Sequence, residues 1–458
     1  MRATSARLTI GSLRELTAIG VVCGLSSLYA TTLVCASTIL STMAKTEGGS
    51  VGLLLDVVAG VFIMIALFVA AVVISNGVDT VIAGRRTELG LLRLVGASSR
   101  QLRDSLVSAV GKVAVIGAGV GVVVGVAGAW IGRVLLVRRG TLPRVHYDVL
   151  PPLVLLGALA VVATAVAATF IGSRAALSSV TAVRSTRIVR SWLRDLVGAV
   201  LIAGGAVLLV GACYLGEQAS TAGFVVAFIG SAVLAVGIML GAGRIVPALV
   251  ALAGRLVGSS PAAVIARKNA VSDPQRTTRS TIGLLIGVTL VTTIAGGMRA
   301  LTESVHSWEG LSPDEVREAE QVLSVTSSVL IAMIAISAVI AAVGFVSTMS
   351  LTVISRTREI GMLRAMGFTS KQIRSMITLE SVALSGTAVV VGLLLGIVLG
   401  AVGAQSLIGA MTDGFSIGLP VPALLAVIAC TVVLVAAASL PPSRRAVGVS
   451  PVDALAVA

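Results

Sequence analysis

The stretch "SRTREIGMLRAMGFTSKQIRSM" at residues 355–376 decides the fold, because it is a charged, helical segment inside a very apolar chain. Nearly the same text, "GRRTELGLLRLVGASSRQLRDSL", stands about 271 residues earlier, at residues 84–106. We call residues 84–106 the first elbow and residues 355–376 the second elbow. The residues identical in both are Arg85, Glu88, Gly90, Leu92, Arg93, Gly96, Ser99, Gln101 and Arg103, matching Arg356, Glu359, Gly361, Leu363, Arg364, Gly367, Ser370, Gln372 and Arg374.

Each elbow has the pattern of a short helix, a turn and a second helix. In the second elbow, Ile360, Leu363 and Met366 recur at helical spacing, which predicts one apolar face. Gly367 is expected to end this helix, and Thr369 with Gln372 to cap the next one. The first elbow repeats these signals at Gly96, Ser98 and Gln101. We predict a helix along the cytoplasmic surface and then a helix entering the membrane; a lipid-facing interfacial helix without a partner is the alternative.

The chain as a whole has the composition of an integral membrane protein. It is 56% hydrophobic and 12% charged, with a mean hydropathy of +1.06, whereas soluble domains contain about 25% charged residues. Its long apolar runs predict about ten membrane-spanning helices. The predicted spans are residues 17–40, 51–74, 106–137, 149–171, 196–215, 222–240, 281–297, 322–354, 376–404 and 419–440.

Basic residues gather in alternate loops, which include both elbows. This asymmetry predicts that the basic loops and both termini are cytoplasmic. The formal charge of +14 therefore indicates membrane topology and anionic lipid headgroups, with no nucleic-acid partner. The opposite loops are poor in Lys and Arg, apart from a cluster at Arg138, Arg139 and Arg144. The "SPDE" motif predicts that the eighth helix starts at Ser312 and runs to Ile354, about 60 Å.

The repeat continues beyond the elbows into the next span. Three glycines keep the same offset, and a Gly-x-x-x-Gly spacing predicts close helix packing. They are Gly121, Gly125 and Gly132, which fall on Gly392, Gly396 and Gly403. We predict an all-α integral membrane protein with two four-span repeats, residues 1–190 and 261–458, joined by a two-span insert at residues 191–260.

The second elbow resembles the signature of the FtsX-like permeases, the MacB, LolC and BceB type of ABC transporter membrane subunit. The tail "PPSRRAVGVSPVDALA" and the segment "ARKNAVSDPQRTTRSTIGLLIGVTL" also resemble that family. The resemblance implies that each elbow is a coupling helix seated in a cytoplasmic ATPase, with the eighth span as a stalk. The implied contact residues are Glu88, Gly90, Leu92, Arg93 and Gly96, and Glu359, Gly361, Leu363, Arg364 and Gly367. Relatives carry a large external domain, whereas both corresponding loops are short in this chain.

We find no phosphate-binding loop in the sequence. Such a loop needs Gly-Lys-Ser/Thr, but only Lys112 follows a glycine, and Val113 comes next. We therefore expect no catalytic residue and no cofactor in this chain, with ATP and Mg²⁺ bound by two copies of a partner ATPase. The four cysteines lie in apolar runs and the two histidines are far apart, so no metal site is predicted.

Asp56, Lys112 and Glu380 are ionisable residues within predicted spans and are candidates for a function there. Such groups are costly in lipid and often functional. All three lie toward span ends, where they can reach water or a partner. Asp56 and Glu380 are the weak candidates for substrate binding.

The leading hypothesis is an ATP-driven ABC export permease in the bacterial inner (plasma) membrane. Its cargo would be hydrophobic or amphipathic, such as a drug, an antimicrobial peptide or a lipid, which would link the chain to efflux and antibiotic resistance. One alternative is a mechanotransmitter that, like FtsX, regulates enzymes outside the cytoplasm. Another is a secondary transporter that needs no ATPase.

Overall fold

All secondary structure in the described part of the chain is helical. The computed structural model describes residues 13–47, 49–84, 89–92, 95–138, 152–178, 186–256, 274–305, 357–411 and 418–448, with a few isolated positions. Its helices, in chain order, are α1 (Leu13–Glu47), α2 (Gly49–Gly84), α3 (Ser99–Arg138), α4 (Leu153–Ser178), α5 (Thr186–Glu217), α6 (Ala222–Leu256), α7 (Pro274–Val305), α8 (Thr357–Ala365), α9 (Ser370–Ile408) and α10 (Val421–Gly448). The predicted all-α class is therefore confirmed.

Within these residues, seven helices are long and apolar enough to cross a membrane. Two shorter apolar segments, Ile63–Asp79 and Val421–Val433, fall on the second and tenth predicted spans. The predicted eighth span and its start at Ser312 lie outside the described residues. The helices also extend past the predicted apolar spans: α9 begins at Ser370, as the predicted capping box requires, which is six residues before the predicted span begins at Met376.

The loop predicted after the first span is wrong over most of its length. Helix α1 continues to Glu47, and α2 already begins at Gly49. Hydroxyl groups support this extension, because Thr38 donates to Val34 O at 2.9 Å and Thr42 to Thr38 O at 2.7 Å. These side-chain bonds keep polar groups satisfied within the helix.

The first half is a bundle of α1–α4, in which α1 packs on α2, α3 and α4. The closest contact is between α1 and α3, where glycines let the backbones meet. A Cβ added at Gly121 would lie 2.8 Å from Ser27 Cβ, and one at Gly125 would lie 2.8 Å from Thr31 Cβ. Ser27 also donates a hydrogen bond to Ala118 O at 3.0 Å.

The pairing of α7 with α9 repeats this contact in the second half. A Cβ at Gly392 would lie 2.9 Å from Val288 Cγ1, and one at Gly396 would lie 2.5 Å from Thr292 Cβ. Gly125 and Gly396, which match in the repeat, thus each face a threonine. By contrast, nothing lies within 4 Å of a Cβ at Gly132 or Gly403. The close packing seen at the first two pairs is therefore absent at this third pair, because in the described part of the chain no atom faces the side of α3 or α9 on which these glycines lie.

Helices α5 and α6 form a hairpin that packs on α7 and α9 of the second half. Glycines interlock the two arms: a Cβ at Gly205 would lie 2.7 Å from Leu234 Cβ, and one at Gly237 would lie 2.8 Å from Ile202 N. An ion pair, Arg244 Nε to Asp195 Oδ2 at 2.9 Å, joins α5 and α6 at the end of the hairpin away from the turn. The turn between α5 and α6 packs on α9, since a Cβ at Gly216 would lie 2.7 Å from Ser406 Cα.

Helix α2 is where the two halves meet in the described structure, because it also contacts α6 and α7. Gly77 faces its own half, where an added Cβ would lie 3.1 Å from Val22 Cγ1. The adjacent Asn76 faces the other half, with its Nδ2 3.3 Å from a Cβ at Gly283 of α7. The side-chain amide of Asn76 and the backbone of Gly283 therefore lie at the contact between the two halves.

Candidate functional site

The second elbow turns at Gly367, as the sequence predicted. Gly367 has a φ of +95°, in the left-handed region that glycine adopts without strain. Its N–H donates to Arg364 O at 3.0 Å, and the Phe368 N–H donates to Leu363 O at 3.0 Å. This pair of bonds is the Schellman motif, which satisfies the last carbonyls of α8. The first elbow has the same geometry, with Gly96 at φ +102° and the Ala97 N–H donating to Leu92 O at 3.0 Å.

A capping box begins the helix after each turn. In the second elbow, the Gln372 N–H donates to Thr369 Oγ1 at 3.3 Å and the Thr369 N–H donates to Gln372 Oε1 at 2.9 Å. In the first elbow, Ser98 and Gln101 exchange the same two bonds at 3.2 Å each. The reciprocal bonds fix the direction in which α3 and α9 leave the turn. Both predicted boxes are therefore present.

Each elbow is held closed by a small apolar cluster. Ile360, Ile373 and Ile377 are buried in the second elbow, with Leu363 and Phe368 packed against them. The first elbow buries the corresponding set, Leu89, Leu102 and Leu106, with Leu92 and Ala97 packed against it. Because the same repeat positions fill both clusters, the two turns hold the same angle for the same physical reason.

The outward side of each elbow helix exposes two large apolar residues. They are Met362 and Met366, 48% and 69% exposed, and Leu91 and Val95, 57% and 87% exposed. We call these the second and first exposed pairs; they occupy identical repeat positions, four residues apart. The sequence pattern predicts that Met366 shares one apolar face with Ile360 and Leu363, but Met366 is exposed while Ile360 is buried, because the helix ends before Met366. The sequence does carry a signal for these pairs. Both copies of the repeat have large apolar residues at these two positions, which are not among the positions that fill the buried clusters.

The remaining predicted coupling residues surround these pairs. In the second elbow, Gly361 is buried, Leu363 and Arg364 are half-buried, and Glu359 is exposed. In the first elbow, Gly90 and Leu92 are half-buried, while Glu88 and Arg93 lie outside the described residues. The helix α8 has Glu359 in its first turn and Arg364 in its last, which suits the helix dipole. The coupling role of all ten residues stays a prediction.

We expect Gly367→Ala to destabilise the second elbow. No atom lies within 4 Å of an added Cβ, so the effect isolates the cost of placing a side chain at positive φ, about 1–2 kcal/mol. Gly367→Asn should cost less, because asparagine tolerates this conformation. Thermal unfolding in detergent measures the effect. Gly386→Ala is the matched control, since it has the same open space without the positive φ; equal effects at both positions would contradict the assignment.

Of the two weak candidates for substrate binding, the structure describes the side chain of Glu380 but not that of Asp56. Glu380 is 5% exposed, so of the two options expected for a group near a span end, water or a partner, it does not reach water. It lies three turns into α9, between Ile377 and Leu384, and its role in substrate binding stays a prediction. Asp56 lies in α2, and its side chain is outside the described part of the chain. Among the described residues, no cluster of three His, Cys, Asp or Glu side chains is placed to hold a metal ion.

Comparison with known proteins matches the repeat. The family model "FtsX-like permease C-terminal" matches twice, at residues 60–180 and 331–451, so each match contains one elbow. A macrolide export ATP-binding/permease protein MacB from Nitrobacter winogradskyi is 37% identical over 145 residues, 32% of this chain and 22% of the relative. A pyoverdine export ATP-binding/permease protein PvdT from Pseudomonas entomophila is 31% identical over 129 residues, 28% of this chain and 19% of the relative.

The matched part thus spans about a fifth of the length of these relatives. The two family matches together cover more than half of this chain. Apolar helices of spanning length and two copies of a permease domain make it a multi-pass membrane protein. The chain belongs to the FtsX-like permease family.

Proposed function

We propose that this chain is the permease subunit of an ATP-driven ABC transporter and that its two elbows seat a dimer of a separate ATPase. The observation that carries the proposal is the pair of equivalent elbows, each with the same cap, the same buried cluster and the same exposed apolar pair. Two equal sites related by an internal repeat suit a partner with two equal subunits.

The chemistry of the exposed pairs suits a protein partner. In the second elbow, two large apolar side chains lie on a short helix that also carries Glu359 and Arg364. Apolar anchors surrounded by polar residues are typical of the centre of a protein interface. The Schellman motif and the capping box join each elbow helix closely to the next helix, so a force on the elbow helix would be passed to α3 or α9, each about 40 residues long.

We further propose that the elbows and both termini are cytoplasmic, in the inner membrane of a bacterium, since basic residues gather on that side. ATP and Mg²⁺ would then be bound by the partner, because the sequence has no phosphate-binding loop. The chain would divide into repeats at residues 1–190 and 261–458 with an insert at 191–260. The packing of the α5–α6 hairpin on α7 and α9 supports an insert that moves with the second repeat.

The cargo is proposed to be hydrophobic or amphipathic and to be exported or extracted from the membrane. The relatives named for macrolide and pyoverdine export support this class. Large apolar side chains are exposed along α3 and α5, including Ile116, Val123, Val207 and Val210. These surfaces suit contact with lipid, from which such a cargo would be taken.

The experiment that tests the proposal is to look for an ABC ATPase gene next to the gene for this chain and to co-purify its product with the chain. We expect a complex with two ATPase copies, and we expect Glu88→Lys with Glu359→Lys to weaken it about tenfold by reversing a charge in each elbow. Glu303→Lys is the matched control, because Glu303 is an exposed acid on α7, paired with Arg299 at 2.6 Å on the side predicted to be external. A chain that binds no ATPase, or equal binding by all variants, would contradict the proposal. Transport by the chain alone would favour a secondary transporter.

A further inference from the structure

Arg103 and Arg374 are the same residue at the same point of the repeat, yet their surroundings differ. Each lies on the first turns of the helix that follows its elbow, four residues into α3 or α9. Arg103 is 26% exposed, whereas Arg374 belongs to the exposed class. A repeat that keeps the residue and changes its environment points to a function confined to one half.

The Arg103 side chain bridges two helices of the first half. Its guanidinium carbon lies 4.7 Å from the centroid of the Phe170 ring on α4. Its Nε lies 3.4 Å from Asp104 Oδ1, which holds the cation on the side of the ring. A cation over an aromatic face within about 6 Å is attracted by the ring quadrupole, more strongly where water is partly excluded.

The end of α4 that carries Phe170 is itself fixed to α2. A Cβ at Gly172 would lie 2.9 Å from Ile82 Cδ1 and 3.0 Å from Asp79 Oδ1. Through Arg103, Phe170 and Gly172, the start of α3 is therefore linked by way of α4 to the end of α2. Helices α2 and α3 precede and follow the first elbow in the chain. The contacts through α4 therefore connect the two ends of this elbow a second time, through space.

The second half lacks both partners for its arginine. At the same offset, Phe170 corresponds to Pro441 and Asp104 corresponds to Ser375. Neither offers an aromatic face or a carboxylate. The difference between the surroundings of Arg103 and Arg374 is thus written into the sequence at two positions and is not an accident of one side-chain conformation.

We propose that Arg103 is a positioning residue that braces the first elbow against α4, so that the two elbows respond unequally to the ATPase. The braced first elbow moves α2, α3 and α4 together, whereas in the described part of the chain Arg374 gives the second elbow no equivalent tie, and the second elbow contacts α10 through α8 instead. This inference rests on the proposed function for its effect on coupling, but the brace itself does not depend on it.

The brace is tested by hydrogen–deuterium exchange on the full chain in nanodiscs, without the ATPase. In Arg103→Gln and in Phe170→Leu we expect amide exchange at residues 97–106 to rise about three- to tenfold, in line with the strength of such contacts. Residues 368–377 should not change. Phe170→Tyr and Arg103→Lys keep the ring and the cation and should stay near wild type. Arg374→Gln, the matched control, should leave both elbows unchanged; equal loosening by Arg374→Gln would overturn the proposal, as would no effect of Arg103→Gln.

The coupling is tested by ATP hydrolysis in the assembled complex. We expect Arg103→Gln and Phe170→Leu each to lower permease-stimulated hydrolysis about threefold or more, with ATPase association unchanged. The double variant should fall no further, since both act through one contact. If the wild-type chain binds no ATPase, the proposed function fails while the exchange result still decides the brace. If the complex forms and the variants hydrolyse ATP like wild type, the coupling role of Arg103 is wrong.

Discussion

Charging both exposed pairs, with Val95→Glu and Met366→Glu together, is expected to release the ATPase from the permease. Val95 and Met366 are the most exposed apolar residues of the two elbows, at 87% and 69%. Burying such a side chain contributes about 2 kcal/mol, and a carboxylate at the same point would have to be desolvated as well. Loss at both elbows amounts to about 4 kcal/mol, or roughly a thousandfold weaker association.

The measurement is ATPase binding to the purified chain in nanodiscs, followed by titration. Two controls separate docking from folding. Val95→Leu with Met366→Leu keeps apolar volume at both points and should bind normally. Phe415→Glu adds a charge at a residue that is 52% exposed beyond the far end of α9, and it should also bind normally. Binding by the charged double variant at the wild-type level would mean that the exposed pairs do not face the ATPase.

The second large effect is expected from Gly125→Ala combined with Gly396→Ala. Each added Cβ would lie inside contact distance of the facing helix, 2.8 Å from Thr31 Cβ and 2.5 Å from Thr292 Cβ. Either the helices separate or the threonines shift, at about 2 kcal/mol for each site. Thermal unfolding in detergent should therefore show a large loss of stability, together with a lower yield of folded protein.

Gly132→Ala combined with Gly403→Ala is the matched control for this prediction. These positions lie seven residues further along the same two helices, and nothing is within 4 Å of an added Cβ. Alanine favours helix over glycine by about 1 kcal/mol, so this variant should be as stable as wild type or more so. Equal destabilisation by the two pairs of substitutions would show that the close α1–α3 and α7–α9 contacts do not hold the bundle.

Local chemistry made the elbows predictable from the sequence. Gly96 and Gly367 end their helices, and the capping boxes at Ser98 and Thr369 follow, because each motif is completed within six residues of the chain. The membrane class and the internal repeat could also be predicted, since hydropathy and the constant offset between the two copies are read directly from the amino-acid sequence. The predicted roles of the coupling residues, by contrast, concern a partner and stay with the experiments above.

What the sequence by itself determined, then, was each turn, its caps and the presence of two copies, all of which depend on neighbours in the chain. Only the tertiary structure decided which side of each elbow stays exposed, which glycines meet another helix, and that Glu380 is buried. It also decided that Arg103 lies over Phe170 while its counterpart Arg374 stays exposed. These outcomes depend on contacts between residues far apart in the chain, and a periodic pattern states which residues share a helix face but not what that face meets.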